Sequence, residues 1–529
     1  MALCTVTRNI KFQGRALSTL WRARWFGNSS FNKEVQLYLR SDAHTIYKAA
    51  LSAVSPQEMV KNNLKFHQGV LSIEEREYAI DKNISVVAFG KAVLGMAKAV
   101  EDILGDHISQ GVASIPLGLP DAIKASRNRE LIDSTILSKN SPITAIEGAR
   151  NNLPDEKAQY AAGRIKEVAE SVRGDDVLLV LISGGGSALL PYPVPGITLE
   201  EKLQTIKAVA SSGGTIQELN TVRKNLSDLK GGKLAKAAYP AKVVTLILSD
   251  VIGDPLDIIA SGPTVPNYST PANCLEIFRK LNVEKKIPGV VIQYLQQAEK
   301  DQQKRGQVDP VNFPHVQNVL VGSNRFAVNA AVKKAESIGY APVVVSTELS
   351  GEARDVGHMY SDLAYFAWNG SLPELSPVTK DVLTDDLFNK IIIARNAKKP
   401  VCIIGAGETT VTLKGKGTGG RSQEMALAVA IDINENFNQF PLGKNPGGLV
   451  LLSAGTDGQD GPTPAAGAVA GPFQVLDAMN EGLNPKEFLR NNDSFTFYSS
   501  FQNGRDHVVT GLTGTNVMDI QVLLVSPSF

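Results

Sequence analysis

The chain has 529 residues, too many for one core, so two or three domains are expected. Its composition is that of an ordinary globule, and a net charge of +1 gives no electrostatic case for nucleic acid or an acidic membrane surface. Three separated cysteines argue against a disulfide framework or cysteine zinc site, six scattered histidines against histidine-based metal or triad chemistry, and no apolar run is long enough for membrane insertion.

No acidic residue precedes Glu34, while Arg8, Lys11, Arg15, Arg22, Arg24 and Lys33 are spread among Leu17, Trp21 and Trp25. That profile predicts a mitochondrial transit peptide over 1–34; a disordered basic arm is the alternative. Residues 35–80 read as helical. ISVVAF (84–89) reads as a strand, and 92–104 as the helix that follows Gly90-Lys91. Lys91 then opposes the dipole of that helix, a local cost that points to an anionic partner.

VLLVLI (177–182) reads as a strand buried on both faces. Ser183-Gly184-Gly185-Gly186-Ser187 follows at once. Consecutive glycines free the backbone for positive φ, so amides and serine hydroxyls can gather round an anion. The plainer reading is a tight strand-to-helix turn. Thr198-x-x-Glu201 and Thr215-x-x-Glu218 each look like a capping box. The second opens onto Asn220, Arg223, Lys224, Lys230 and Lys233, a solvated face or a phosphate or carboxylate clamp.

A strand over 243–248 ends at Asp250, where carboxylates do chemistry in α/β sheets, with Ser261-Gly262 beyond. Residues 285–315 read as a linker or peripheral helices, and 350–400 as mostly helical. Strands over 319–324 and 342–345 lie between them. A strand over 401–404 leads to Glu408, and 409–413 alternates like a hairpin partner. Gly415-Lys416-Gly417-Thr418-Gly419-Gly420-Arg421 opens an alanine-rich helix. A strand over 449–452 ends in the Asp457–Asp460 turn, and 520–525 closes as a strand. Strands alternating with helices predict α/β layers.

G-x-G-x-x-G at 415–420 lacks the acid about 20 residues on that a dinucleotide site needs. Walker A and protein-kinase signatures are absent, and the 457–461 run has the wrong spacing for an EF-hand. What remains is glycine-rich loops, three cations and three carboxylates after strand ends. Phosphoryl transfer needs those parts: amides and cations on phosphates, carboxylates for Mg²⁺ and for orienting the hydroxyl.

The chain resembles the class II glycerate kinases, which carry a MOFRL domain. The resemblance rests on FGKA (89–92), LISGGGSALL (181–190), IQELNTVRK (216–224), KGG (230–232), LSDVIGDP (248–255), IASGPT (259–264), GSN (322–324), GTGGRSQE (417–424), GTDGQDGPT (455–463), NDS (492–494) and TGTNVMD (513–519). It implies two α/β domains: a larger Rossmann-like one over 35–285, a connecting α/β segment over 286–397, and a smaller MOFRL domain over 398–529. A cleft between them would hold the active site. It implies ATP and Mg²⁺, and phosphorylation of D-glycerate to 2-phosphoglycerate in serine and fructose breakdown; the leader predicts a mitochondrial location, with a cytoplasmic form if it is skipped, and a monomer or homodimer is expected.

The resemblance places catalytic roles on Lys91, Asp250, Arg421 and Asp457. It places binding roles on Ser183, Gly184, Gly185, Gly186, Ser187, Asn220, Lys224, Ser261, Gly262, Ser323 and Asn324. In the second domain they fall on Glu408, Gly419, Gly420, Asn492, Asp493, Thr515 and Asn516, with Asp457 and Asp460 as metal ligands. Two rivals are an NAD(P)-dependent hydroxypyruvate reductase, favoured by the second glycine motif, and a non-catalytic sensor of hydroxy acids, opposed by the clustered carboxylates.

Overall fold

The computed structural model describes residues 29–80, 84–305, 313–371, 375–437 and 448–526, so residues 1–28 of the predicted leader lie outside the described residues. The chain divides into two compact units. One comprises Leu51–Ala327 with Leu512–Met518; the other comprises the described residues up to Ala50, Val328–Gly511, and the chain from Asp519 on.

The start of the chain differs from expectation. The helices Ser29–Ala53 and Pro56–Asn63 give way to three short antiparallel strands: β1 (Leu64–His67), β2 (Val70–Ile73) and β3 (Arg76–Ala79). The all-helical reading of 35–80 fails because burial alternates there, with Leu71 and Ile73 buried between half-buried neighbours. Gln68 and Gly69 both take positive φ, which closes β1 onto β2.

The main sheet of this unit has six parallel strands: β4 (Ile84–Phe89), β5 (Ile108–Pro116), β6 (Ile143–Gly148), β7 (Val177–Ile182), β8 (Lys242–Leu248) and β9 (Val316–Gly322). Their order is β6-β5-β4-β7-β8-β9. The chain therefore builds outward one way from β4, then returns to the middle and builds the other way. That is the doubly wound arrangement, and ligands bind at the carboxyl ends of the two strands where the winding reverses. Here those strands are β4 and β7, all of whose residues are buried, as their uninterrupted apolar runs require. Both capping boxes form as the spacing predicts.

The other unit holds a mixed sheet of β10 (Ala341–Leu349), β11 (Val401–Gly407), β12 (Leu449–Gly455), β13 (Gly467–Ala470), β14 (His507–Val508) and β15 (Asp519–Val525), ordered β10-β11-β15-β12-β13-β14. β15 runs antiparallel between β11 and β12, pairing Asp519 with Gly407 on one side and Gly455 on the other. The helices Ala353–Asn369 and Arg421–Phe437 pack a continuous core against it, with Tyr360, Trp368 and Phe497 fully buried.

Two further expectations change. The segment 286–397 is divided: β9 completes the first sheet and β10 edges the second. Residues 409–413 form no hairpin strand. Thr410 makes a single bridge to Glu352, and its amide donates to Gly351. Among the described residues no helix is long and apolar enough to cross a membrane.

Candidate active site

In the amino-terminal unit, the turns after β4, β7 and β8 bring Lys91, residues 183–187 and Asp250 together. The Lys91 amide donates to the Gly184 carbonyl at 2.8 Å, and the Ser183 hydroxyl accepts from the Ala92 amide at 2.9 Å. These bonds tie the two switch-point loops to each other. Gly184 is glycine for a steric reason: a Cβ there would fall inside the Asp250 carboxylate. Gly185 has φ +77°, and the Lys91 stem lies 3.1 Å from where its Cβ would be. Of the three glycines only Gly185 takes positive φ. The loop's glycines thus admit a lysine and a carboxylate to its backbone, rather than forming a nest of three inward amides.

Behind this loop runs a chain of polar contacts. Ser187 Oγ lies 3.2 Å from Ser261 Oγ, and Ser261 donates to Asn220 Oδ1 at 2.9 Å. Lys230 Nζ, 1% exposed, donates to the Ser187 carbonyl at 3.0 Å and reaches its hydroxyl at 3.3 Å. Gly262, with φ +59°, accepts from the Gly232 amide at 2.8 Å. Asn516, from Leu512–Met518, donates to Asp250 at 3.4 Å. Ser323 and Asn324, after β9, are buried.

Two predicted binders here have other partners. Lys224 is paired with Asp257 at 3.1 Å. Thr515 donates to the Val54 carbonyl at 2.6 Å, which pins its loop rather than presenting a hydroxyl to a ligand.

In the other unit, Arg421 opens the helix after the second glycine-rich loop and is gripped by acids. Its Nε and Nη2 donate to the two Asp519 oxygens at 2.5 and 2.9 Å, and Nη1 donates to Glu408 at 2.6 Å. Two of the five guanidinium N–H groups are left over. Burial pushes Asp519 up to about 7, with Asp460 and Glu408 adding to it against the pull of Arg421. Asp519 escaped the sequence reading as a site residue, since it opens a strand instead of following one. Its signal was the mixed sheet order, which sets the start of β15 beside the ends of β11 and β12.

Asp457 is half-buried just past β12, with one oxygen accepting from the Gln459 amide at 3.0 Å. Asp460, expected as a metal ligand, is engaged by backbone amides. Its two oxygens accept from the Ser422 and Gln423 amides at 3.0 and 2.8 Å, capping the Arg421 helix in a site 3% exposed. Asn492 and Asp493, expected as ligand binders, hold the glycine-rich loop. Asn492 Oδ1 takes the Lys414 and Gly415 amides at 2.8 and 3.0 Å, and its amide group donates to Glu424 at 3.1 Å. Asp493 takes the Thr418 amide at 2.8 Å. Gly419 and Gly420 pack against Ser494 and Asp460, where a side chain has no room. The Gly415, Lys416 and Thr418 amides are thus taken by the Asn492, Asn491 and Asp493 side chains and the Gly417 amide by the Asn491 carbonyl, which weakens the support that this stretch gave a reductase.

Residues 42–296 match the family described as a domain of unknown function, DUF4147, and residues 401–519 match the MOFRL family. The chain is 43% identical to the glycerate kinase of Rattus norvegicus, across 92% of this chain and 94% of that protein. It is 34% identical to a D-glycerate 2-kinase of Thermotoga maritima, across 92% and 98%. The crystal structure of a Thermotoga maritima glycerate kinase aligns with a TM-score of 0.71 at 31% identity, covering 92% of this chain and 99% of that one. The chain belongs to the glycerate kinase family whose carboxyl-terminal portion is MOFRL.

Proposed function

We propose that this protein transfers the γ-phosphoryl group of ATP to the 2-hydroxyl of D-glycerate. The observation that carries the reading is the convergence of Lys91, Asp250 and residues 183–187 at the switch point of a doubly wound sheet, in a chain this similar to glycerate kinases. The similarity to the Thermotoga D-glycerate 2-kinase supports the 2-position.

Asp250, contacted by Asn516 and set where a side chain at position 184 would stand, orients the hydroxyl and accepts its proton as the oxygen attacks phosphorus. The bond from phosphorus to the β-phosphate oxygen breaks, and ADP leaves. Lys91, an exposed ammonium over Gly185, meets the negative charge of the phosphates. In the other unit, Arg421 keeps two N–H groups uncommitted to its acids, which hold it rigid as a donor pair for an oxyanion.

Mg²⁺ fits the donors. Magnesium arriving with a nucleotide takes one or two carboxylates and keeps water and phosphate oxygens for the rest. Asp457, with one oxygen uncommitted to its turn, would hold it; Asp460 would not. When bound, the ion would supply positive charge against the phosphates.

The acid-free leader supports a mitochondrial location. A coupled ADP-release assay with D-glycerate, run beside a nicotinamide absorbance assay with hydroxypyruvate, tests the reaction. Glycerate-dependent ADP release without nicotinamide turnover is the expected result; the reverse overturns it.

A further inference from the structure

Three cations of the amino-terminal unit lie behind the switch-point loops, where no step above uses them. Lys202, on the Leu199–Ser211 helix, is 4% exposed, and its ammonium has no hydrogen-bond partner among the described residues. Arg223, half-buried on the Ile216–Asn225 helix, donates through Nη1 to Asn220 at 3.3 Å. Asn220 also accepts from Ser261, which touches Ser187, which touches Lys230. One polar chain therefore runs from Arg223 to the end of the glycine-rich loop.

The charges of Lys202 and Arg223 both bear on Lys230, so the three form one electrostatic group. Nearby carboxylates do not serve it. Asp228 is bound by Lys166 at 2.6 Å, and Asp257 is paired with Lys224. Burying an unpaired ammonium beside other cations is among the costliest arrangements a folded chain can hold. It is intelligible where a ligand brings the missing negative charge, and a singly charged group leaves the cluster still positive.

We infer that Lys202, Arg223 and Lys230, with Asn220 and Ser261, form a binding site for a phosphate-class oxyanion that reaches the Ser183–Ser187 loop. The same chemistry has two sources: the polyphosphate of a nucleotide, or the phosphate of a phosphorylated three-carbon acid. Only the naming of these two sources rests on the kinase reading.

The test is calorimetric titration of the full chain with ADP and, separately, with 2-phosphoglycerate, for the wild type, Lys202→Met and Arg223→Gln. Adenosine, which lacks phosphate, is the control. Loss of one charge-assisted contact should weaken one of the two phosphate ligands by about tenfold or more in both variants. Adenosine binding should be unchanged. Ligand-free Lys202→Met should also melt higher than wild type, because a buried charge without a partner has been removed. If Lys202→Met does not fold, Arg223→Gln alone decides, since its side chain is only half-buried.

Unchanged affinity for both phosphate ligands overturns the site, and so does an equal loss for adenosine. Glycerate-dependent ADP release by the wild type is scored apart. Turnover with unchanged variant affinities sinks the site alone. Phosphate binding that depends on Lys202, without turnover, sustains the site and sinks the reaction.

Discussion

Asp250 occupies the space that a side chain at position 184 would fill. The carboxylate after β8 is thereby set against the backbone of the loop after β7, beside the Lys91 stem that crosses Gly185. A carboxylate and a cation are set against one short stretch of main chain.

Gly184→Ala should therefore act through Asp250. The added methyl displaces the carboxylate, and a shift of about 1 Å at a reacting group costs on the order of 100-fold in kcat. Overpacking should lower stability by about 1–3 kcal/mol. A steady-state assay beside a denaturation curve checks both. Unchanged kcat would mean that Asp250 does not touch the reacting atoms.

Lys91 is exposed; its amide donates to Gly184 and its stem crosses Gly185. Lys91→Ala should leave stability within about 0.5 kcal/mol, as surface changes usually do. It should lower kcat by about 100-fold or more if the ammonium meets phosphate charge in the transition state. A normal kcat removes Lys91 from the site.

Arg421 bridges two oxygens of Asp519 and one of Glu408 with separate N–H groups. Lysine is a point donor and cannot reproduce that fork. Arg421→Lys should thus fail to restore activity, with kcat about tenfold or more below wild type. Asp519→Asn should lower kcat in the same direction, because the guanidinium loses its charged anchor while the amide keeps the shape. Wild-type kinetics in Arg421→Lys would show that charge alone matters.

The buried lysines make a pH prediction with a definite sign. Burial lowers Lys202 to about 7, with Lys233 and Arg223 adding, and lowers Lys233 to about 8. The ordinary value is 10.5. Between about 7 and 10.5 the unfolded chain binds protons at these groups that the folded chain does not, so ligand-free stability should rise with pH across that window. The slope is at most about 1.4 kcal/mol per pH unit for each lysine. Lys202→Met should lose its share, and ADP should flatten the wild-type slope. Denaturant midpoints at pH 7, 8 and 9 measure it (about one unit apart suffices). A slope that falls with pH contradicts the assignment.

The doubly wound sheet was legible because parallel strands buried on both faces are uninterrupted apolar runs, as in β4, β7 and β8. Their carboxyl ends then announced Lys91, residues 183–187 and Asp250. β1 to β3 were not legible as strands, since four-residue elements give too few positions to separate a period of two from a helix. Asn492, Asp493 and Asp460 read as ligand binders because polar residues beside glycine loops look alike whether they bind a ligand or the loop itself. Lys202 gave no sign at all. Only packing reveals that a lysine in a capped amphipathic helix faces inward without a partner.

Phosphorus NMR of the products formed from ATP and D-glycerate tests the account most directly. The account predicts ADP and 2-phosphoglycerate in equal amounts from the wild type, and neither from a chain carrying both Lys91→Ala and Asp250→Asn. A product phosphorylated at the 3-position, or full turnover by the double variant, would contradict it.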